Sequence, residues 1–200
     1  MKLVLLSLLV VAGACFANTP VATVIIAKEQ VTATSSIKER QLKRKAKIYK
    51  ADTLKTGKHA RAQFRFTEGT ILTLGESTQF AVNRFEHQKT SEAHFEFIKG
   101  AFRVVTGEIT KVTNPNFKIK TPMGSIGIRG TDFWGGNLYH AHTIDVILLD
   151  SEHPIVIENE YGRVVISTPG TGTTLQIGKP PSQPEKWSEK KLADAVKTIQ

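Results

Sequence analysis

Residues 121–136 read "TPMGSIGIRGTDFWGG" and hold five glycines, with Gly124, Gly127 and Gly130 spaced by three. A phosphate loop needs its glycines between a strand and a helix, so that backbone N–H groups converge on the anion at the helix start. After Gly130 the chain runs "TDFWGGNLYH", aromatic and broken by glycine, with no amphipathic helix. The Walker pattern would also need Gly-Lys-Ser/Thr, which is absent. The nucleophile elbow G-x-S-x-G does not match either, since Met123 precedes Gly124-Ser125. The stretch therefore reads as a demand of the fold. Ile126 and Ile128 point to one side of a strand, and the glycines leave the other side bare, where another piece of backbone is expected to approach. Arg129 is flanked by residues too small to shield it, and Asp132 follows three residues later. A charge-assisted pair between them is expected to fix a turn. Gly124, Gly127, Arg129, Gly130 and Asp132 are thus assigned to a structural motif.

Outward from this stretch, most of the chain reads as short strands. In "RAQFRF" strict alternation puts Ala62, Phe64 and Phe66 on one face. "TEGT" supplies a turn in which Gly69 takes positive φ, and "ILTL" leads back. The cycle repeats through "TQFAV", "HFEFI", a turn at Lys99-Gly100, "AFRVV", "FKIK", "PIVI", "RVVIS" and "TTLQI". Turn signals every eight to twelve residues point to an all-β domain. "IDVILL" is continuously apolar and is read as a strand buried on both faces. The tail differs: 179–187 is extended and proline-rich, and no helix crosses it. Over 188–200, Ser188 offers an N-cap, while Leu192, Ala195, Val196 and Ile199 recur at helical spacing. A short amphipathic helix packed onto the sheet, with Trp187 as its anchor, is expected.

The first residues stand apart from that fold. Met1-Lys2 is a short positive start, Leu3 to Val11 is apolar apart from Ser7, and "AGACFA" follows. This has the form of a secretory signal peptide over 1–17, too short to span a bilayer as a mature helix. Two ends are compatible with it. Cleavage after Ala17 uses Cys15 and Ala17 as the small residues. Alternatively "AGAC" serves as a lipobox, and Cys15 becomes an acylated amino terminus. Cys15 is the only cysteine, so cleavage after Ala17 leaves a mature chain with no thiol for a disulfide, a nucleophile or a thiolate metal site.

The charge is concentrated. The net charge is +9, and Lys2 is the only charged residue before Asn18, leaving +8 for the mature chain. Between Ile37 and Arg61 ten basic residues face two acids, again +8, so the rest of the chain is neutral. In "LKRKAKIYK" alternation puts Lys43, Lys45 and Lys47 on one face with Tyr49, and Leu42, Ala46 and Ile48 on the other with Arg44. Two readings follow: a solvated edge strand whose lysines deter aggregation, or a docking strip for an acidic protein face or an anionic envelope surface. The aromatic pair Phe133-Trp134 is the next candidate for partner binding. Nucleic acid would suit the charge but not an exported protein.

Chemistry-bearing clusters are sparse. His140 and His142 would share one face of a strand, as a metal pair can, with His153, Asp145 or Asp150 as a third ligand; an exposed strand carries such a pair equally well without metal. Glu68, Glu76, Glu92 and Glu108 stand at or near turns, where solvation accounts for them, and nothing pairs two as an acid/base couple. The chain is read as non-catalytic and without a cofactor.

Two longer stretches carry a family resemblance. "KGAFRVVTGEITKVTNPNFKIKTPMGSIGIRGTDF" (99–133) resembles the signature of FecR-domain envelope proteins, and "LKRKAKIYKADTLKTGKHARAQFRFTEGTILTLGEST" (42–78) resembles the opening of the same domain. The likeness runs from about Val24 to Phe133, and "PPSQPEKWSEKKL" resembles tails of stand-alone members. The sequence departs from the pattern at Lys45 and Ala51, where glycine is common, and at Glu29. The resemblance implies a twisted, solenoid-like or sandwich-like β domain over 18–178 in the periplasm. In the members that name the family, a cytoplasmic segment controls a sigma factor while the β domain listens to an outer-membrane siderophore transporter. With export beginning at residue 1, the expectation here is the β module alone: a sensing or binding part, or a structural component, of the envelope.

Overall fold

The computed structural model describes residues 19–36, 38–87, 91–112, 115–151 and 153–200; the proposed signal peptide and Cys15 lie outside them. Two nine-stranded sheets pack face to face. The first runs from Glu185–Lys186 at one edge through Thr171–Gln176, Thr143–Ser151, Thr131–Gly136, Ala101–Val105, Ile71–Leu74, Arg61–Phe66 and Ala22–Lys28 to Lys47–Ile48. The second runs from Gly162–Ile166 through Ile155–Asn159, Gly124–Ile128, Asn116–Thr121, Glu92–Lys99, Gln79–Glu86, Thr53–Thr56 and Val31–Thr34 to Glu39–Gln41. Along both sheets the chain advances almost steadily from amino- to carboxyl-terminal strands. Each strand therefore pairs with near neighbours in sequence, which gives the sandwich its solenoid-like progression.

Alternation supplies the core between the sheets. Ala62, Phe64 and Phe66 are buried while Arg61, Gln63 and Arg65 face outward. Phe64 and Leu72 are cross-strand partners across the turn at Gly69, whose φ is +100°. Phenylalanines from the two layers meet in a continuous row. Phe66 of the first sheet lies 4.8 Å from Phe85 and 5.3 Å from Phe95 of the second, and Phe102 lies 5.4 Å from Phe80 and 4.9 Å from Phe97. Such offset and edge contacts add to area burial and lock the relative register of the sheets.

The run from Thr143 to Leu148 is buried at every position, and the reason is the tail. Ile144, Val146 and Leu148 join the core between the sheets, whereas Ile147 turns outward to Ala101, Trp134, Trp187 and Ala195. The helix Glu189–Lys197, with Ser188 accepting from the Lys191 N–H as its N-cap, lies on that outer face. Lys191 Nζ sits 2.9 Å from the buried Asp145 carboxylate and 4.1 Å over the Trp187 ring. Trp134 Nε1 donates to Thr198 Oγ1 at 3.0 Å.

Three departures from the family pattern fall at left-handed backbone. Glu29, Lys45 and Ala51 have φ of 57°, 72° and 64°. The turns keep the conformation that favours glycine although these residues carry a Cβ, which costs about 1 kcal/mol each. Ala51→Gly removes a methyl without removing a hydrogen bond. It is expected to raise stability by up to about 1 kcal/mol, seen as a higher denaturant midpoint with unchanged slope. A lower midpoint would show that the turn holds no such strain.

Candidate functional site

The stretch 121–136 carries the chain from one sheet to the other. Gly124–Ile128 is antiparallel to Asn116–Thr121 in the second sheet, and Thr131–Gly136 pairs with Ala101–Val105 in the first. Between them Arg129-Gly130 forms a bend, with Gly130 at φ +119°. This placement overturns the expected Arg129–Asp132 pair. Because the bend changes layers, Asp132 lands on the outer face of the first sheet, where Arg103 Nε donates to its Oδ1 at 2.8 Å. The hydrogen bond to Asp132 raises the Arg103 pKa above its ordinary value. Arg129 is exposed and forms no ion pair among the described residues.

The bare glycine face is also not what was expected at Gly127. A Cβ added there would meet nothing closer than the Val156 carbonyl oxygen at 3.8 Å, an ordinary contact. Close approach occurs instead at Gly124, where it would lie 2.6 Å from the Glu158 carbonyl oxygen. Gly127 floors an open hollow on the outer face of the second sheet, left unfilled by the described residues.

Phe133 and Trp134 are not a turn available to a partner. Both are fully buried in the strand Thr131–Gly136, Phe133 in the core and Trp134 beneath the tail helix. His140 and His142 are exposed in a turn rather than on one face of a strand. Among the described residues no three His, Cys, Asp or Glu side chains converge to hold a metal ion. Glu68 is not a solvated turn acid. It is buried, its Oε1 accepting from the Thr70 N–H at 3.2 Å and its Oε2 from the Ile109 N–H at 3.1 Å. Its carboxylate joins two turns that lie about forty residues apart, a partnership no local pattern reveals.

The basic segment is folded more sharply than alternation implies. A turn at Arg44-Lys45 interrupts it, and only Lys47–Ile48 is a strand, at the edge of the first sheet. Leu42 and Ile48 are buried, while Arg44 is exposed and so departs from the face it was expected to share with them. Lys43, Lys45 and Lys47 are all exposed, with Lys50. None of these five cations forms an ion pair among the described residues; Lys47 Nζ donates to Thr23 Oγ1 at 3.1 Å. Behind the turn lies an anchor that sequence reasoning missed. Asp52 is fully buried and accepts from Arg40 Nη1 at 2.9 Å, from Arg40 Nη2, and from the Tyr49 N–H at 2.8 Å. The hydrogen bond to Asp52 holds the Arg40 pKa above its ordinary value, and the guanidinium lies 5.4 Å from the Tyr49 ring centre. A cationic turn is thereby mounted on a rigid base.

No helix among the described residues is long and apolar enough to cross a membrane. No curated protein sequence matches the chain. Two crystal structures of a candidate anti-sigma factor from Parabacteroides distasonis ATCC 8503, at 1.65 and 2.50 Å resolution, share the fold, each with a TM-score of 0.57 at 10% identity. The likeness covers 70% of this chain and 62% of that one, so the chain spans less than two thirds of that protein's length. The family model described as FecR protein matches residues 52–152, half of the chain, from the buried Asp52 past the sheet-to-sheet bend. The chain belongs to the FecR protein family.

Proposed function

We propose that the protein is a non-catalytic binding or sensing module of the bacterial envelope, exported to the periplasm and acting without direct control of a sigma factor. Family membership supports the regulatory, envelope-directed part of this reading. The observation that carries the binding role is the exposed turn bearing Lys43, Arg44, Lys45, Lys47 and Lys50, free of ion pairs among the described residues and braced by Arg40–Asp52. Exposed unneutralised cations at one end of a rigid sandwich attract an anionic partner, whether a phosphate-bearing membrane surface or an acidic protein face.

Each lysine contributes about 1 kcal/mol against an anionic membrane at moderate salt. The triple variant Lys43→Glu, Lys45→Glu, Lys47→Glu is therefore expected to lose most sedimentation with vesicles rich in anionic lipid. Its melting temperature should hold, because all three side chains face solvent. Wild-type binding should also weaken steeply as salt rises, since exposed charges are screened beyond roughly 8 Å at physiological ionic strength. Binding that ignores both salt and the triple reversal would return the turn to the role of a solvated edge. For export, the intact mass of native protein should correspond to a chain beginning near Asn18; a diacylglycerol-modified Cys15 would make it an anchored lipoprotein instead.

A further inference from the structure

The hollow over Gly127 has a shape and a charge that name its occupant. Cross-strand pairing places Lys118, Gly127, Val156 and Val165 in one row across the outer face of the second sheet. Val165 is 49% exposed, an aliphatic side chain on the outermost strand. Arg163 lies in the adjacent row, opposite Glu158 and Ser125. On the other side of the apolar row, one residue beyond Ile128, stands Arg129. Gly124–Ile128 and Gly162–Ile166 run in the same direction two strands apart, and the pairing sets Ile128 three residues further along than Arg163, about 10 Å in strand direction, with Arg129 following at the bend. Neither arginine forms an ion pair among the described residues. Among the described residues Glu158 is the one acid lining the hollow, and Lys118 already faces it at 3.5 Å. Among the described residues the rim thus carries three cations against one acid around a strip of aliphatic surface, with Gly127 leaving part of the floor bare.

We propose that this trough is a docking site for an extended acidic segment of a protein partner. An aliphatic residue of that segment lies over Gly127 against Val156 and Val165. Carboxylates two positions to either side meet Arg129 and Arg163. In an extended chain, side chains two apart share a face and the outer two of three such positions lie about 13 Å apart, so a segment laid obliquely across the row can offer a carboxylate to the long side chain of each arginine. Charge-assisted hydrogen bonds to two guanidinium groups fix register, and the apolar centre supplies desolvation. The proposal rests on the binding-module reading and assigns it a second face, remote in sequence from the lysine turn.

The test is an NMR titration of the full mature chain with the peptide acetyl-Thr-Glu-Thr-Leu-Thr-Glu-Thr-amide, and with its counterpart bearing lysine for glutamate. Shifts are expected at Gly127, Val156 and Val165 with the acidic peptide only. The double variant Arg129→Glu, Arg163→Glu should raise the Kd at least tenfold. Gly127→Val should do the same by filling the floor while keeping or raising the melting temperature, because its backbone is not left-handed and its neighbours leave room. Absence of binding to the wild type, affinity unchanged in both variants, or shifts confined to Lys43–Lys50 would each overturn the proposal. Vesicle binding measured on the same samples separates the two faces: retained by the trough variants and lost by the lysine triple, it leaves the docking turn standing whatever the peptide does.

Discussion

Replacing Arg40 by alanine is expected to destabilise the protein by about 4 kcal/mol, although Arg40 is partly exposed. The cost arises at its partner. The Asp52 side chain is 1% exposed, against 30% for that of Arg40. Removal of the guanidinium leaves a carboxylate sealed in the fold with only the Tyr49 N–H to answer it. Asp52→Ala should cost less, about 3 kcal/mol, because the orphaned arginine can turn towards water. The double variant should lose less than the sum of the two, since one event breaks the pair in both. Chemical unfolding of the four proteins gives all three quantities. Equal and additive losses would mean that the pair contributes little and that packing alone holds this end of the sandwich.

Trp134→Ala should have an effect of similar size, about 4 kcal/mol, with a different signature. Trp134 is fully buried, not in the core between the sheets but on the outer face of the first, under the tail. Its ring meets Trp187 at 6.1 Å and its indole N–H donates to Thr198. The substitution therefore removes the surface on which the helix rests as well as one of its hydrogen bonds. Limited proteolysis should cut the segment 185–200 in the variant at temperatures where the sandwich is intact. A global loss of stability with the tail still protected would show that the helix is held by Asp145–Lys191 and Trp187 alone.

These two positions mark what the sequence could and could not disclose. Alternation in "RAQFRF" and the turn glycines Gly69 and Gly100 were legible because strand faces and positive φ are local properties. Ser188 and the spacing of Leu192, Ala195 and Ile199 were legible for the same reason. The expected Arg129–Asp132 pair does not form, because a bend that changes sheets separates residues that are close in sequence. Asp132 found Arg103, twenty-nine residues away. Glu68 reads as an ordinary turn acid and Asp52 only as one of two acids in the basic stretch, since burial of a carboxylate is decided by distant backbone N–H groups and a distant arginine. Trp134 looked like a surface aromatic because nothing local says that the tail returns to cover it. Lys45, Ala51 and Glu29 are the converse case: the family likeness marked them as irregular, and each sits at left-handed backbone.

The proposed contact of this fold with an anionic envelope partner runs through its lysine turn. The most direct measurement is photo-crosslinking in intact cells from a reactive amino acid at position 45, with position 142 as an exposed control outside both proposed faces. An adduct with one envelope component is expected from position 45 and not from 142, and it should vanish when Lys43 and Lys47 are reversed to glutamate. Adducts equally strong at both positions, or an adduct with a cytoplasmic component, would contradict that contact.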